Sequence, residues 1–490
     1  MTRQIRLLGL GLMVCFGILF VQLNRLTVFE ASALNDNPNN TREILRDFSQ
    51  PRGSVTTADG VIIAESVPSD DQFELQRRFP QGPLFAPITG YYSFTLGSAG
   101  VEKTYNDELA GRTIDLSLQD LGDLFVDKDR VGELTLSVRA DLQRIASEQL
   151  GDREGSVVAL DPRSGEILAM VSFPTYDPNV LASHNTNEAA EAQRLLDESP
   201  EKPRLVRAYQ DRFFPGSTFK VVTATAGLLS GTVTADDPSY PVSTGYTAPG
   251  TDRPIRNFDG DSCGGKLFDI MRVSCNSAFS QMGVDAGPEA MIAAAHAFGF
   301  NDEVPIDLTD PARSIFPTDF ERDLPALAQS SIGQNDVSAT PLQMAMVAAA
   351  VANGGKIMKP HVLQEVRDSD GNLVDSYDEG VWTEAMDPGT AALLRTAMEG
   401  VVARGTATRL QVPGFVVGGK TGTAQLGSDP PRSHAWIIGF AGPPDEDPTI
   451  AVAVMVEGQP EVSNQTGGRV AAPIAQAVLK AYLENPSPTP

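Results

Sequence analysis

Histidine and cysteine are scarce in this chain of 490 residues, which contains four histidines and three cysteines. None of them falls in the clustered spacings that bind a metal ion, so the sequence predicts no metal site. We therefore expect no cofactor.

Basic residues are outnumbered as well, because 38 Lys and Arg stand against 63 Asp and Glu, for a formal net charge of −25. No stretch resembles the basic stripe that binds a polyanion, so we expect no nucleic-acid partner. What is present suits a globular protein, with 41% hydrophobic and 7% aromatic residues. The length allows two or three domains.

The stretch from Leu7 to Leu23 contains no charged residue and is near the short end of a membrane-spanning helix. Arg3 and Arg6 precede it, which by the positive-inside rule keeps the tail cytoplasmic and places the remainder outside the plasma membrane. The alternative is a cleaved signal peptide with a cleavage site at residues 31–33. Polar residues separate that site from the apolar stretch, so we favour a single-pass anchor.

The chain beyond the anchor predicts two domains. Arg52–Glu65 predicts a β-hairpin around Asp59-Gly60, and Leu134–Leu150 predicts a strand that continues into an amphipathic helix. We place a domain boundary near Gly151. The predicted parts are a cytoplasmic tail, an anchor, a first domain, a second domain and a flexible tail, at residues 1–6, 7–23, 24–150, 151–484 and 485–490.

The second domain mixes strands with apolar helices. Strands are predicted at residues 155–160, 166–171, 415–417, 434–440 and 449–456, and helices at 342–352 and about 470–483. Thr340-Pro341 supplies the expected N-cap and first residue of the earlier helix. Residues 236–266 are rich in Gly, Pro and Asp and predict a long loop.

The stretch Phe213–Gly227, FFPGSTFKVVTATAG, predicts a turn that runs into a mostly apolar helix. Ser217 lies at the start of this helix, and Lys220 follows one turn later on the same face. A hydroxyl is a weak nucleophile until a base removes its proton. Burial among apolar neighbours lowers the pKa of a lysine towards neutrality, which makes Lys220 the candidate base for Ser217.

Two further tracts strengthen this hypothesis. Ser274-Cys275-Asn276 lies between apolar segments, and Lys420-Thr421-Gly422-Thr423 follows an apolar strand. Singly each pattern is weak, because residues 199–202 and 183–185 also match Ser-x-x-Lys and Ser-x-Asn by chance. In this order, however, Ser-x-x-Lys, Ser-x-Asn and Lys-Thr-Gly form the signature of penicillin-binding proteins and related β-lactamases.

The chain resembles the class B penicillin-binding proteins, monofunctional peptidoglycan transpeptidases, and within them the actinobacterial members. Further tracts carry the resemblance: PRG at residues 51–53, GSVVALDPRSGEILAMVSFPTYDPN at 155–179, GQNDVSATPLQMA at 333–345 and HAWIIGFA at 434–441. Asn335 departs from the family pattern, which usually has glycine there, and this puts a loop rather than the chemistry in doubt.

The resemblance implies an α/β fold of the α+β type. A membrane anchor would precede a mixed pedestal (dimerisation-like) domain and a transpeptidase domain, in which helices flank a central antiparallel sheet. The substrates would be peptidoglycan stem peptides ending in D-Ala-D-Ala, and β-lactam antibiotics would acylate the nucleophile. The partner would be a membrane glycosyltransferase of the elongation or division machinery. The two proteins would act in the cell-wall synthesis that determines cell shape or cell division.

The resemblance also assigns catalytic roles. Ser217 would attack the penultimate carbonyl, and Lys220 would take its proton. Ser274 would relay that proton to the leaving amine, with Lys420 supplying positive charge nearby. The backbone N–H groups of Ser217 and Thr423 would form the oxyanion hole.

Substrate-binding roles fall on the second and third motifs. Asn276 would orient the substrate amide. Thr421 and Thr423 would hold the terminal carboxylate with their hydroxyls, on a substrate-binding segment that includes Gly422.

Three other hypotheses stay open. A carboxypeptidase or β-lactamase would let water resolve the acyl-enzyme, but no Glu-x-x-Leu-Asn tract of the class A β-lactamase kind is present. A non-catalytic penicillin-binding sensor or scaffold would keep the motifs without turnover. An ordinary anchored globular protein would carry the motifs by coincidence.

Cys263 and Cys275 are the two cysteines beyond the predicted anchor. That side of the membrane favours oxidation, and an even pair there usually bonds, so we favour a disulfide over two buried free thiols. The bond would tether Ser274, the residue before Cys275, to the loop beside the predicted site.

Overall fold

The structure, a computed structural model, describes residues 2–25, 48–113, 116, 131–320, 323–428, 431–459 and 465–486. Residues 26–47, in the predicted first domain just after the anchor, lie outside these residues. The chain divides into two compact units, Met1–Pro51 with Ser66–Gln76 and Arg52–Glu65 with Arg77–Pro490. The smaller unit contains a helix at Thr2–Asn24. Across the described residues, no helix meets the length and apolarity that crossing a bilayer demands.

The α-helices of the described residues are numbered in chain order. They are α1 Thr2–Asn24, α2 Ala86–Thr89, α3 Val101–Thr104, α4 Asn106–Leu109, α5 Ala140–Leu150, α6 Pro178–Leu181, α7 Thr186–Glu198, α8 Lys220–Leu229, α9 Leu267–Arg272, α10 Asn276–Ala297, α11 Leu324–Ser330, α12 Pro341–Ala352, α13 Pro388–Arg404 and α14 Ala472–Glu484. A π-helical turn, Gly467–Ala471, leads into α14.

The strands of the described residues follow the same convention. They are β1 Val55–Thr57, β2 Ile62–Pro68, β3 Leu75–Arg78, β4 Tyr92–Ser93, β5 Gly97–Ser98, β6 Glu133–Leu136, β7 Gly155–Leu160, β8 Ile167–Phe173, β9 Tyr240–Ser243, β10 Gly245–Tyr246, β11 Ile255–Arg256, β12 Cys263–Gly265, β13 Lys356–Met358, β14 Leu363–Arg367, β15 Leu373–Ser376, β16 Val381–Glu384, β17 Val416–Gln425, β18 Ser433–Gly442 and β19 Ile450–Val456.

The hairpin predicted at Arg52–Glu65 is confirmed, because β1 and β2 pair antiparallel with Val55 opposite Ala64. On its other side β1 pairs parallel with β6, and β6 pairs antiparallel with β14. The strand-to-helix transition predicted at Leu134–Leu150 is also confirmed, by β6 and α5. Strands that are distant in sequence thus share one mixed sheet with the hairpin.

A buried ionic cluster stands at the start of this hairpin. The carboxylate of Glu102 has no exposed surface and lies 2.7 Å from Arg52 Nε and 2.6 Å from Arg77 Nε. Arg77 also donates to the backbone oxygen of Gly53 at 2.9 Å. Buried charges are tolerated only when they are paired and hydrogen-bonded, and this cluster meets both conditions.

Residues of the predicted second domain form a five-stranded antiparallel sheet, in the order β17-β18-β19-β7-β8. Every residue of β18 and β19 is buried, which is why these strands appear in the sequence as continuous apolar runs. Helices α5, α12, α13 and α14 pack against the sheet. The predicted combination of a central antiparallel sheet with packed helices is therefore confirmed.

Helix α12 is buried along its whole length, as its all-round apolar sequence predicts. Its N-terminus is also as predicted. Pro341 is the first helical residue, and the Thr340 hydroxyl accepts a hydrogen bond from the backbone N–H of Gln343 at 3.0 Å. The cap fixes the residue at which this buried helix begins.

Two expectations for the second domain are wrong. The loop predicted at residues 236–266 contains four short strands, with β9 paired to β12 and β10 paired to β11. The Asn257 side chain holds them together by donating to the backbone oxygens of Ser243 and Asp261. The strand predicted to end at Val417 instead runs on to Gln425, because β18 supplies a partner for each of its residues.

Candidate active site

Ser217 lies in a 3₁₀ turn, Gly216–Phe219, that leads directly into α8. The predicted helix is present, but its first turn is tighter than an α-helix. Gly216 permits this turn, since its φ is +54° and an added Cβ would lie 3.0 Å from the backbone oxygen of Thr423. The N–H of Gly216 donates to the backbone oxygen of Gly333 at 2.9 Å. Ser217 is therefore held close to the strand that carries the third motif.

Lys220, the first residue of α8, is fully buried. Its Nζ donates to the backbone oxygen of Ser274 at 2.7 Å and to Asn276 Oδ1 at 2.6 Å, and lies 3.3 Å from Ser274 Oγ. Burial, and then repulsion by Lys420, hold the pKa of Lys220 well below the ordinary value for lysine. This environment favours the neutral amine that a general base must be.

In the described part of the chain, no hydrogen bond joins Lys220 Nζ to the Ser217 hydroxyl. Catalytic hydrogen bonds are often long in an unliganded site and shorten when substrate binds. Direct proton transfer from Ser217 to Lys220 would therefore need these two side chains to come within hydrogen-bonding distance.

Ser274 connects the two buried lysines. Lys420 Nζ donates to Ser274 Oγ at 2.7 Å and to the backbone oxygen of Thr421 at 2.9 Å. Lys420 has no exposed surface, and burial lowers its pKa to about 7. The φ of Ser274 is +60°, a left-handed conformation that residues other than glycine rarely adopt. A hydroxyl between two such amines can pass a proton in either direction.

A disulfide joins Cys263 in β12 to Cys275, the residue between Ser274 and Asn276. Asn276 is tied to the same region, because its Nδ2 donates to the backbone oxygen of Arg256 at 3.0 Å. The second motif is thus attached to the short strands on one side of the cleft by one covalent and one hydrogen bond.

Thr421, Gly422 and Thr423 lie in the middle of β17. An added Cβ at Gly422 would lie 2.8 Å from the backbone oxygen of Pro215, so glycine is required where the strand passes the turn before Ser217. The Thr421 hydroxyl lies 2.6 Å from the hydroxyl of Thr406. The strand therefore approaches the nucleophile closely and presents hydroxyl groups beside it.

These groups meet at one cleft of about 1020 Å³, whose lining includes Ser217, Ser274, Asn276, Thr421 and Thr423. Lys220 and Lys420 do not line the cleft, and each reaches it through its hydrogen bond to Ser274. Among the described residues, no group of three or more His, Cys, Asp or Glu side chains is placed to hold a metal ion. The arrangement suits acyl transfer by an activated serine.

Sequence reasoning missed two residues that position this site. Buried Asn257 accepts a hydrogen bond from the backbone N–H of Ser277 at 2.8 Å and so fixes the start of α10, the helix that opens with Asn276. Thr406 contacts Thr421 across 15 residues of chain. Neither stands in a local motif, and no pattern in the sequence brings either of them to its partner.

Two protein-family models match the chain. The penicillin-binding protein transpeptidase domain matches residues 155–480, and the penicillin-binding protein A dimerisation domain matches residues 52–134. The chain therefore belongs to the penicillin-binding protein transpeptidase family, and the resemblance noted in its sequence is confirmed.

Within that family the chain is similar to penicillin-binding protein A of mycobacteria. It is 36% identical to the peptidoglycan D,D-transpeptidase PbpA of Mycolicibacterium smegmatis, over 99% of this chain and 100% of that one. PbpA of Mycobacterium tuberculosis is 34% identical over 99% of both chains. The solved ceftriaxone acyl-enzyme complex of penicillin-binding protein A from M. tuberculosis superimposes with a TM-score of 0.83 at 35% identity, covering 89% of this chain and 99% of that one.

Proposed function

We propose that this chain is a serine D,D-transpeptidase that cross-links peptidoglycan stem peptides through an acyl-enzyme on Ser217, and that β-lactams inactivate it at the same residue. One observation carries the proposal. Ser274 Oγ lies within 3.3 Å and 2.7 Å of the buried amines of Lys220 and Lys420, at the cleft that Ser217 lines. The similarity to relatives named D,D-transpeptidases, and to a structure that is a β-lactam acyl-enzyme, supports it.

Acylation would begin when Lys220 takes the proton of the Ser217 hydroxyl, whose oxygen then attacks the penultimate carbonyl of the donor peptide. A tetrahedral oxyanion forms, and the N–H groups of Ser217 and Thr423 would stabilise it by about 3 kcal/mol per donor. An added Cβ at Gly216 would lie 3.0 Å from the backbone oxygen of Thr423, so the two segments that carry these N–H groups run close to each other.

Collapse of this intermediate breaks the bond to the terminal D-alanine. The leaving nitrogen needs a proton, and the hydrogen bonds from Lys220 to Ser274 and from Lys420 to Ser274 provide a route for it. Thr421 and Thr423 would hold the terminal carboxylate, and Asn276 would orient the peptide amide from the opposite wall. The acyl group then remains bound to Ser217 as an ester until an amine attacks it.

The amine of a neighbouring stem peptide would attack the ester, restore the Ser217 hydroxyl and leave a cross-link between two strands of the cell wall. The competing hypothesis of a carboxypeptidase or β-lactamase assigns this step to water. The two hypotheses share the whole acylation half of the reaction, so only the fate of the acyl group separates them.

The test labels the protein with a fluorescent penicillin and follows the release of the label. We expect stable labelling of Ser217, no labelling of the Ser217→Ala variant, and release that is slow compared with a β-lactamase. A labelled alanine variant would assign the nucleophile elsewhere. Adding a donor thioester and an amine then decides between cross-linking and hydrolysis, because a transpeptidase forms the amide product.

We also propose that the protein is held in the plasma membrane by residues 7–23, with a cytoplasmic N-terminus and an extracytoplasmic catalytic domain. The sequence supports this through the uncharged stretch Leu7–Leu23 and the arginines before it. A pedestal at residues 24–150 would then raise the transpeptidase domain, 151–484, above the membrane. A membrane glycosyltransferase of the elongation or division machinery would supply the glycan strands.

Removing the anchor tests this topology. A chain that starts near Asn35 should remain in solution without detergent and should still react with penicillin, since the residues of the cleft all follow that point. If the shortened protein needs detergent as much as the full chain does, attachment does not depend on the N-terminal helix.

A further inference from the structure

Four arginines, Arg253, Arg256, Arg409 and Arg469, line the active-site cleft. Two aspartates also line it, Asp259 and Asp261. The cleft wall therefore has an excess of positive charge in a chain whose net charge is −25. Within the described residues, none of the four guanidinium groups pairs with a carboxylate. A positive cleft in an acidic protein attracts and concentrates anionic ligands.

The two walls of the cleft differ. One wall, residues 253–263, contains Arg253, Arg256 and both aspartates, so its charges nearly cancel. The opposite wall is built from two segments that we call the arginine rim: Thr406, Thr408 and Arg409 with Thr466, Gly467, Gly468 and Arg469. No acidic residue of this rim lines the cleft.

The two segments of the arginine rim are in direct contact. An added Cβ at Gly468 would lie 2.5 Å from the backbone oxygen of Thr406, so the two segments touch. Arg409 Nη1 donates to the backbone oxygen of Arg469 at 3.3 Å, which brings these two residues together. Guanidinium groups and hydroxyls are the donors that bind a carboxylate, and arginine binds it with two parallel hydrogen bonds.

The rim adjoins the predicted site of the leaving residue. The hydroxyl of Thr406 lies 2.6 Å from that of Thr421, which is expected to hold the carboxylate of the terminal D-alanine. That D-alanine departs as an amine with a carboxylate on the neighbouring carbon. Aminolysis of the acyl-enzyme is the reverse of acylation with a different amine, so the incoming amine must occupy the position that D-alanine has left.

We propose that Arg409 and Arg469 select the acceptor, and that the acceptor is an amine with a free carboxylate on the adjacent carbon rather than an isolated amine. This deepens, and rests on, the transpeptidase function proposed above. In the step itself the acceptor nitrogen forms an amide with the acyl carbon, the C–O bond to Ser217 breaks, and the amine proton returns to Ser217 Oγ. The rim holds the carboxylate and takes no part in the proton transfer.

The experiment uses the full-length protein and an acyl-D-alanyl thioester with an uncharged leaving thiol, so that acylation itself places no carboxylate at the rim. The acyl-enzyme partitions between water and an added amine, either D-alanine or D-alaninamide. These two acceptors differ in the carboxylate and in the pKa of the amine, so the product formed with each is divided by its concentration of free amine. The measured quantity is the ratio of amide product formed with the two amines, compared between the natural protein and its variants.

We expect the natural protein to prefer D-alanine to D-alaninamide. In the double variant Arg409→Gln/Arg469→Gln this preference should fall by about fivefold, which corresponds to the free energy of an ion pair at an exposed site. Arg253→Gln on the opposite wall removes one cleft charge outside the rim and should preserve the preference. Because the two amines are compared within each variant, differences in folding or in acylation rate cancel.

Three results would contradict the inference. The first is a double variant that keeps the full preference for D-alanine. The second is an Arg253→Gln variant that loses this preference to the same extent, and the third is a natural protein that takes up both amines without preference. In each of these cases transpeptidation still occurs, and the proposed function stands. If the acyl group is released only to water with either amine, the transpeptidase function fails and the acceptor site fails with it.

Discussion

Lys420 is buried. From this burial we predict how its replacement changes both the stability of the protein and the rate at which Ser217 is acylated. Burial lowers its pKa from the ordinary 10.5 to about 7. A pKa difference of about 3.5 corresponds to about 5 kcal/mol, the largest free energy that charging this buried amine can cost the folded state. Replacing Lys420 by methionine, which has a similar length and no charge, removes this cost and should stabilise the protein while it slows acylation of Ser217.

The sign of the pH dependence follows from the proton count. Below about pH 7 the amine is protonated in both the folded and the unfolded chain, so the full cost is present. Between about pH 7 and 10.5 only the unfolded chain binds the proton, so the stability of the natural protein rises by about 1.4 kcal/mol per pH unit. The charging cost that Lys420→Met removes is therefore greatest below pH 7 and disappears towards pH 10.5.

The net gain is smaller than the charging cost. Methionine leaves Ser274 Oγ and the backbone oxygen of Thr421 without the donor they have in the natural protein. Each lost hydrogen bond costs about 1 kcal/mol, so we expect a net stabilisation of about 2–3 kcal/mol near pH 7. The assay is the difference in thermal midpoint between the two proteins, measured at several pH values.

Lys480→Met is the matched control, since the Lys480 side chain is half exposed on α14. It reports what the loss of an ammonium on the surface does at each pH. If the gain from Lys420→Met stays constant between about pH 6.5 and 9.5 once this control is subtracted, the amine of Lys420 titrates in the fold as it does in water, and the reasoning from burial is refuted.

Three further predictions concern other parts of the site and fold. Lys220→Arg should abolish acylation, because a guanidinium stays protonated and cannot act as a base; undiminished penicillin labelling would reassign the base. Cys263→Ser should slow acylation more than it lowers the melting temperature, because the bond tethers the residue next to Ser274; two titratable thiols in the unreduced, denatured natural chain beyond the anchor would contradict this. Glu102→Gln should destabilise the fold by about 3–5 kcal/mol by leaving two buried arginines uncompensated, and an unchanged melting temperature would argue against that ionic cluster.

The sequence predicted the elements whose signal is local. The apolar runs of β18 and β19, the cap of α12 and the turn of the first hairpin each follow from residues that are close in the chain. Most of β17, residues 418–425, was missed because three glycines weaken the strand pattern there. The structure explains these glycines. An added Cβ at Gly418 would lie 2.2 Å from the ring of Phe440 in the neighbouring strand, and one at Gly422 would lie 2.8 Å from the backbone oxygen of Pro215. Contact with a distant residue therefore decides this element.

The candidate site divides in the same way. The order of the three motifs is enough to assign Ser217, Lys220 and Lys420 to one site. It does not show that Lys220 binds the backbone of Ser274, because that contact joins residues 54 positions apart. It also gives no hint of the arginine rim, whose two segments are 60 positions apart and contain no motif of their own.

Asn335 and Ser274 both have left-handed backbones, but the first position depends on its backbone conformation and the second depends on its side chain as well. Asn335 has φ +61°, so the glycine usual at this position of the family is needed for its backbone, and asparagine is among the residues that tolerate the conformation best. Its replacement of glycine therefore preserves the loop beside Gly333. Ser274 has φ +60°, yet glycine would fail there, because the hydroxyl must meet Lys420 while the backbone oxygen of the same residue meets Lys220. The left-handed backbone costs about 1–2 kcal/mol, and it lets one residue bind both amines.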